Sequence, residues 1–349
     1  MSTSGPVCDG GSVLKLGYNT TYKKRVKVTL NSDEPTIILG FQNPNGYTLT
    51  PQRVKTLSRK LLFFSYRRCF APLADGTTHD TTWGCLIRTS QMLLALALMR
   101  YHSRAPGGLS LDSPSVEDIR RRVSLYFRDV PSAPLSIHRV EDAAVSLGCK
   151  YATWLSPSQA GSALASVFKA LKFDSAFPLP SLVYSSSRVL SKADLAAAVS
   201  ENPIIILIPL MLGLDTVSGE YQKWLLRYFT FQSACGVAGG RGSASLFFFG
   251  CQGSDVLYFD PHYVQKAFTK EGNGGSFEGR CGSMHVAGVS TSMLVGFFIR
   301  NVDELEVFCE DIEKSNHLLV FPLISIVSSR QEEVEGSRQD IHSISSASS

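Results

Sequence analysis

Residues 83–99, WGCLIRTSQMLLALALM, join a Trp-Gly turn to an apolar segment long enough to form a helix buried in the core. The turn places Cys85 at the start of that helix. Unpaired backbone N–H groups and the positive end of the helix dipole stabilise a thiolate there, and a histidine partner lowers the cysteine pKa further. The same N–H groups can hold the oxyanion of a tetrahedral intermediate. A free cysteine is also often a small buried apolar residue, so this segment alone leaves both roles open.

A second feature with chemical potential is the tripeptide Asp260-Pro261-His262, which follows the apolar residues 256–259. Residues two apart in an extended segment project to the same side, so Asp260 can contact one imidazole nitrogen of His262 and leave the other to face a thiol. The carboxylate then fixes the tautomer and stabilises the imidazolium. Asp-Pro also opens turns, and the histidine after it can simply be solvated. We predict that His262 is the base for Cys85 and that Asp260 orients it.

The other histidines fit less well. His79 lies in a polar loop and is expected to be exposed, whereas His138 lies at a predicted helix start, where capping or packing explains it. No two histidines have the i, i+4 spacing of a metal-binding helix. We therefore expect neither a metal nor another cofactor.

Composition restricts the class of protein. The 349 residues are 44% apolar, enough for a sizeable core, and 34 basic against 30 acidic residues give a charge of +4, too small to indicate nucleic-acid binding. Eight scattered cysteines without CxxC pairs indicate reduced thiols, not a disulfide framework or a zinc site. The amino terminus lacks the pattern of a secretory signal, and the most apolar stretch, residues 203–214, is shorter than the roughly 20 residues of a membrane span. A cytoplasmic protein is expected.

The order of elements predicts an α+β fold, with helices first and most strands later. Helices are expected after Thr50-Pro51, after Ser156-Pro157 and after Asn301, each followed by apolar residues at helical spacing. The predicted strands are residues 203–208, 244–250, 256–260, 292–299 and 318–327. Residues 244–260 are predicted to form a hairpin that ends at Asp260.

Three segments are predicted to be irregular. Residues 1–35 are expected to form a flexible arm, and the polar tail at 328–349 is expected to be disordered. The glycine-rich run 236–242 lacks the Lys-Ser/Thr ending of a phosphate loop. It is predicted to be a flexible loop and a lid over the thiol, with glycines as hinges.

The sequence resembles the autophagins, the autophagy-related protein 4 cysteine peptidases. The resemblance is carried by DTTWGC at residues 80–85 with Arg88 and Gln91, and by Asp260-Pro261-His262 with Gln265. Weaker matches extend it over about residues 36–327. It implies a papain-like fold over that range, with a small auxiliary subdomain roughly within residues 130–200.

The resemblance also implies roles for particular residues. Cys85 is the nucleophile, His262 the base and Asp260 the orienting group of a Cys-His-Asp site. Tyr66 contributes to the oxyanion hole together with the Cys85 backbone N–H. Trp154 matches a tryptophan that covers the substrate channel with the glycine-rich loop, here at Gly239 and Gly240.

The activity implied is cleavage of a ubiquitin-like autophagy modifier after its C-terminal glycine. This cleavage matures the precursor and releases the modifier from phosphatidylethanolamine, so the partners are both forms of the modifier and, through the conjugate, autophagic membranes. The same type of site can instead transfer an acyl group to an amine, and the chain can also bind the modifier with little turnover.

Four positions depart from the family pattern. Thr82 stands where the family usually has glycine, Cys235 is an apparent insertion, Arg241-Gly242 replaces Lys-Pro-Asn, and Ser245 replaces a usual histidine. None of these changes removes a predicted catalytic group, but they alter the predicted lid.

Overall fold

The computed structural model describes residues 28, 30–31, 33–40, 47–103, 109–171, 177–270 and 278–329. The predicted arm at residues 1–35 and the predicted tail at residues 328–349 lie outside this part of the chain, except for a few residues at their inner ends.

The described residues contain thirteen strands and eight α-helices. The strands are β1 (Pro35–Ile38), β2 (Tyr47–Thr48), β3 (Arg67–Arg68), β4 (Ser181–Tyr184), β5 (Val189–Ser191), β6 (Ile204–Met211), β7 (Ala234–Arg241), β8 (Ala244–Gln252), β9 (Asp255–Phe259), β10 (Gln265–Lys266), β11 (Cys281–His285), β12 (Ser292–Ile299) and β13 (Ser325–Val327). The helices are α1 (Pro51–Ser58), α2 (Cys85–His102), α3 (Val116–Ser124), α4 (Ile137–Ser146), α5 (Pro157–Leu171), α6 (Lys192–Glu201), α7 (Gly219–Tyr228) and α8 (Val302–Asn316).

One mixed sheet organises the molecule, with strand order β11-β9-β8-β7-β12-β6-β4 and with β1 and β2 attached at β8. β4 runs parallel to β6, while the neighbours from β6 to β11 are antiparallel. Outside this sheet, β3 pairs in parallel with β10, and β13 with β5. The β3–β10 ladder joins the residues around Tyr66 to the segment that follows His262.

Helices cover both faces of the sheet. Helix α2 is buried from Cys85 to Met99 and packs against β7, β8 and β12. A Cβ atom on Gly296 of β12 would lie 2.4 Å from Leu93 of this helix, so the strand backbone lies directly against α2. The next residue, Phe297, points to the opposite face and packs on Phe308 of α8, with ring centroids 5.0 Å apart. Within the described residues, no helix is both long and apolar enough to cross a membrane.

Helix predictions are confirmed at their starts. Thr50, Ser156 and Asn301 directly precede α1, α5 and α8, and the Thr50 and Asn301 side chains cap their helices. Helix α1 ends at Ser58, so it is shorter than the helix that the spacing of apolar residues predicted. The mixed α and β composition is as predicted, although α5 to α8 alternate with strands instead of preceding them.

Four of the five predicted strands are present as β6, β8, β9 and β12, including the β8–β9 hairpin. The fifth prediction, for residues 318–327, is wrong for most of its length, because only Ser325–Val327 forms a strand. Phe321, near the start of this predicted strand, is 72% exposed. Apolar content alone does not distinguish a strand from a turn with exposed apolar side chains.

The apparent insertion at Cys235 lies in an irregularity of the sheet. Gly296 of β12 pairs with Gly236, but its neighbour Phe297 pairs with Ala234, so the register shifts at Cys235. One extra residue on one strand is what a β-bulge accommodates without disturbing the strands on either side. Gly236 has a φ of 105°, and a Cβ there would lie 2.4 Å from Phe247.

Thr82 adopts a left-handed backbone conformation, with a φ of 82°, three residues before Cys85. A Cβ in this region costs roughly 1–2 kcal/mol, and β-branched residues are especially unfavourable there. Thr82→Gly is therefore expected to raise the free energy of unfolding by about 1 kcal/mol, measured by urea denaturation. Thr82→Ala retains a Cβ and is the control, so equal effects of the two substitutions would show that no strain is relieved.

Candidate active site

Cys85 is the first residue of helix α2, as predicted, and is only 2% exposed. The preceding Gly84 caps the helix without a side-chain hydrogen bond, so the N–H groups of the first turn are not engaged by a capping side chain. The sulfur therefore lies at the positive end of a long helix, where negative charge is stabilised.

Asp260 and His262 follow strand β9 and contact each other as the extended tripeptide predicted. His262 Nδ1 lies 2.5 Å from Asp260 Oδ1, and the His262 backbone N–H donates to the same oxygen at 3.0 Å. These two contacts fix the imidazole ring and use Nδ1, which leaves Nε2 to face the thiol.

The thiol and the imidazole are electrostatically matched. Burial by itself raises the pKa of the Cys85 thiol, but the hydrogen bond and the charge of His262 lower it, and the net direction is down. Burial likewise lowers the pKa of His262, while hydrogen bonds and charge from Asp260 and Cys85 raise it to about 9. Opposite shifts of this kind favour a thiolate–imidazolium pair near neutral pH.

Tyr66 lies beside this pair. Its hydroxyl hydrogen-bonds the Cys85 thiol, and its ring meets the His262 ring edge-on with centroids 5.2 Å apart. The Tyr66 backbone N–H donates to the Pro261 carbonyl at 2.9 Å, and the Gln265 N–H donates to the Tyr66 carbonyl at 2.9 Å. The short β3–β10 ladder thus holds the tyrosine against the histidine segment.

Ser245 is a site residue that sequence reasoning noted only as a departure from the family. Its backbone N–H hydrogen-bonds the Cys85 sulfur and contributes to the lowered pKa of the thiol. Its side chain is held in place because its Oγ donates to the Gly239 carbonyl at 3.0 Å and lies 2.8 Å from Thr89 Oγ1 of α2. Every residue except proline has a backbone N–H, so the residue type at position 245 does not indicate this contact, and only the fold shows it.

The glycine-rich run is not a flexible loop, which corrects the sequence prediction. Residues 236–241 belong to the buried strand β7, and the chain turns into β8 immediately afterwards, at Gly242. Gly240 is required by close packing, because a Cβ there would lie 2.7 Å from the Ala244 carbonyl. Glycine here allows the backbones of two strands to pack closely. A glycine-rich composition does not show whether the glycines allow close packing or flexibility at a hinge. The role of Gly239 and Gly240 as a lid stays a prediction.

Trp154 lies in the irregular segment between the turn at Tyr151-Ala152 and α5, and it is 53% exposed. The turn is fixed by Glu141 of α4, whose Oε2 accepts the Ala152 N–H at 2.9 Å, while Ala152 adopts a φ of 53°. Glu141 is itself buried, and burial raises the pKa of its carboxyl to about 7. A large exposed indole beside a fixed turn suits contact with another molecule, and its role over the channel stays a prediction.

Two residues differ from the sequence predictions and one agrees. His79 is half-buried and forms a bridge with Arg68, so the prediction that it is exposed was wrong. Cys69 is disulfide-bonded, contrary to the expectation of reduced thiols, because pairing depends on distances in the fold that sequence spacing does not give. His138 is buried and its Nε2 lies 2.6 Å from the Ala71 carbonyl, as expected for a packing role.

Comparison with known proteins identifies a matching family and relatives. Residues 51–311 match the family model described as the peptidase C54 catalytic domain. The chain is 33% identical over 255 residues to a "probable cysteine protease atg4" of Aspergillus niger, an alignment that covers 68% of this chain and 61% of that protein.

Two further relatives show the same similarity. "Cysteine protease ATG4B" of Oryza sativa subsp. japonica is 28% identical over 315 residues, which are 80% of this chain and 65% of the relative. "Cysteine protease ATG4" of Saccharomyces cerevisiae is 29% identical over 287 residues, 78% of this chain and 55% of the relative. The chain thus spans between about half and two thirds of the length of these curated relatives.

Proposed function

Because the chain belongs to the peptidase C54 family, we propose that it is a cysteine peptidase in which Cys85 is the nucleophile, His262 the base and Asp260 the orienting group. The observation that carries the proposal is geometric: Cys85 begins helix α2 and is hydrogen-bonded to His262, whose Nδ1 lies 2.5 Å from Asp260 Oδ1. The opposite pKa shifts, downward for the Cys85 thiol and upward to about 9 for His262, agree with this arrangement. A structural cysteine in a buried position has no such partner, and burial alone raises its pKa.

The reaction follows from the contacts of these groups. The Cys85 thiolate attacks the scissile carbonyl carbon, and the oxyanion is stabilised by the Tyr66 hydroxyl and the Cys85 backbone N–H. Collapse of the tetrahedral intermediate breaks the C–N bond, and the His262 imidazolium gives its proton to the leaving amine. Neutral His262 then takes one proton from water as the water oxygen attacks the thioester carbonyl carbon. Collapse breaks the C–S bond and restores the thiolate–imidazolium pair, and the carboxylic acid that leaves gives its remaining proton to solvent. Asp260 holds the ring in one tautomer throughout.

The proposed arrangement is papain-like. The catalytic cysteine starts a central helix, and the histidine follows a strand of the sheet against which that helix packs. We extend the proposal to the domain limits, with a peptidase domain over residues 36–327 and an auxiliary subdomain roughly within residues 130–200. The cytoplasm is the proposed location, since the nucleophilic thiol has to stay reduced and six of the described cysteines are free, although Cys69 is disulfide-bonded.

The proposed substrate is a ubiquitin-like autophagy modifier, cleaved after its C-terminal glycine in both the precursor and the conjugate with phosphatidylethanolamine. The burial of Cys85 supports a glycine at the scissile bond, because a residue that is 2% exposed leaves little room for a substrate side chain, and we propose that the substrate reaches it through a narrow channel. Trp154 and the end of strand β7, with Gly239 and Gly240, are proposed to cover this channel.

The test is cleavage of the modifier with a C-terminal extension, under reducing conditions and with the cut located by mass spectrometry. We expect one cut after the terminal glycine, and no cut in a matched substrate whose terminal glycine is replaced by valine. A second reaction contains the lipid conjugate in vesicles, and release of the modifier is expected there too. Addition of methylamine separates hydrolysis from acyl transfer, because a transferase forms the methylamide. Tight binding without any cleavage contradicts the proposed function and favours a binding protein.

A further inference from the structure

Four buried charged side chains beneath the candidate site have no role in the reaction described above. They are Arg67, Asp80, Arg88 and Asp129, and each is at most 1% exposed. Asp80 and Arg88 belong to the WGC sequence motif, but Asp129 lies 44 residues beyond Cys85 and has no motif around it. The four groups therefore come together only in the fold.

Asp80 fixes the start of helix α2. Its Oδ2 accepts from Arg88 Nε at 2.5 Å, and its Oδ1 accepts from the Arg67 backbone N–H at 2.5 Å. Its carbonyl accepts the Gly84 N–H at 2.9 Å. A Cβ on Gly84 would lie 2.6 Å from the Asp80 Cβ, so the carboxylate segment packs directly beneath the residue before Cys85. A displacement of Asp80 therefore displaces the catalytic sulfur.

Asp129 connects the same guanidinium to the segment that follows His262. Arg88 Nη1 lies 2.8 Å from Asp129 Oδ1. Asp129 Oδ2 accepts the Phe268 N–H at 2.8 Å, and the Asp129 N–H donates to the Phe268 carbonyl at 2.6 Å. Phe268 is six residues after His262, just beyond strand β10. Arg88 thus spans the distance between the cysteine segment and the histidine segment.

Stability alone does not account for this arrangement. Removing a charged group from water costs several kcal/mol, and well-packed apolar side chains often stabilise a core as well as or better than a buried ion pair. Burial raises the pKa of Asp80 even with Arg88 in contact, so the desolvation cost opposes the ion pair. The planar Arg88 guanidinium, held at Nε by Asp80 and at Nη1 by Asp129 and Gln91, supplies fixed geometry instead.

We infer that Asp80, Arg88 and Asp129 form a positioning bridge that holds the Cys85 sulfur at its contact distance from the His262 imidazole. None of the three touches the substrate, so each acts through the catalytic residues. If the bridge loosens, the sulfur loses part of its contact with the imidazolium, and its pKa rises toward that of an ordinary thiol, about 8.5. The effect on catalysis rests on the proposed function, but the titration of the thiol does not.

The test is the pH dependence of Cys85 alkylation by iodoacetamide, followed at the Cys85 peptide by mass spectrometry in the full-length protein. Arg88→Lys keeps the net charge, so long-range electrostatics predicts no change. Asp129→Asn removes a negative charge, so electrostatics alone predicts a lower thiol pKa. The positioning bridge predicts a higher midpoint in both variants, by about 1 pH unit. The two explanations therefore differ in sign for Asp129→Asn.

Controls separate positioning from stability. Arg100→Lys alters an arginine at the other end of α2, where Nη1 donates to the Ala234 carbonyl at 2.9 Å, and it should lower stability without moving the midpoint. Gln91→Met removes a neutral partner of Arg88 Nη1 at 3.0 Å and leaves every charge in place. It also removes the Nε2 donor to the buried Leu135 carbonyl at 2.8 Å, and in the folded variant it should raise the midpoint slightly. Unchanged or lower midpoints in the folded bridge variants refute the inference.

Cleavage kinetics provide a second readout. The bridge variants should lose kcat by about 10²-fold, the scale expected for a displacement of about 1 Å, while KM stays nearly constant. If the wild type does not cleave the modifier, the proposed function fails, but the alkylation result still decides whether the bridge positions the sulfur.

Discussion

Replacement of Cys85 by alanine is expected to reduce cleavage of the modifier by about 10⁵- to 10⁶-fold, the scale of loss when the nucleophile of an acyl-transfer site is removed. No other group in the described site replaces the Cys85 sulfur as nucleophile. The neighbouring side chains, His262 and Tyr66, are hydrogen-bond partners of that sulfur and act as proton donors. The measurement is the single-turnover rate of cleavage with enzyme in excess, so that a trace of wild-type protein is detected as a small fast phase.

Cys309→Ala is the matched control. Cys309 is a free and buried cysteine on α8, and burial raises the pKa of its thiol to about 11, opposite in direction to that of Cys85. Its loss should leave a small cavity and lower stability without changing the cleavage rate. Full activity in Cys85→Ala would refute the nucleophile assignment. Equal loss in both variants would show that the assay reports folding, not chemistry.

The parts of the site that sequence predicted are those encoded by neighbouring residues. The WGC turn and the apolar residues after it define the start of α2, and the alternation of an extended segment brings Asp260 Oδ1 to His262 Nδ1. Both features are local, because a helix start and an i, i+2 contact depend on only a few residues. The fold then needed only to bring two local features together.

The parts that sequence did not predict depend on strand register and long-range packing. The Ser245 N–H reaches the sulfur because β8 pairs with β7 in one register, and a shift of one residue would point it away. The bulge at Cys235 also depends on strand register, so the sequence did not predict it. The strand at residues 236–241 was missed because glycine favours both loops and closely packed strands. From sequence alone, an aspartate such as Asp129 is expected at the surface. Its burial beside Arg88 follows only from the fold.

Asp260→Asn is the second substitution with a large expected effect, a fall in kcat/KM of about 10³- to 10⁴-fold at pH 7.5. Asparagine carries no charge, and its amide can present a donor to Nδ1, which turns the imidazole to the wrong tautomer. The active ion pair exists between the lowered pKa of Cys85 and the His262 pKa of about 9, so activity rises with pH through the first value and falls through the second. Without Asp260 the upper limit of this pH window moves down and the lower limit moves up, so the window narrows and a smaller fraction of the enzyme carries the ion pair.

The pH profile of kcat/KM therefore distinguishes orientation from simple destabilisation. In Asp260→Asn the basic limb should move from about 9 to lower pH by at least about 1 unit, because the hydrogen bond and charge that raise the His262 pKa are lost. Asp255→Asn, at the other end of strand β9, removes the same charge at a distance from the ring and should leave both limbs in place. A basic limb that stays near 9 in folded Asp260→Asn would mean that Asp260 does not set the pKa of His262. The thiolate of Cys85 alone would then raise that pKa.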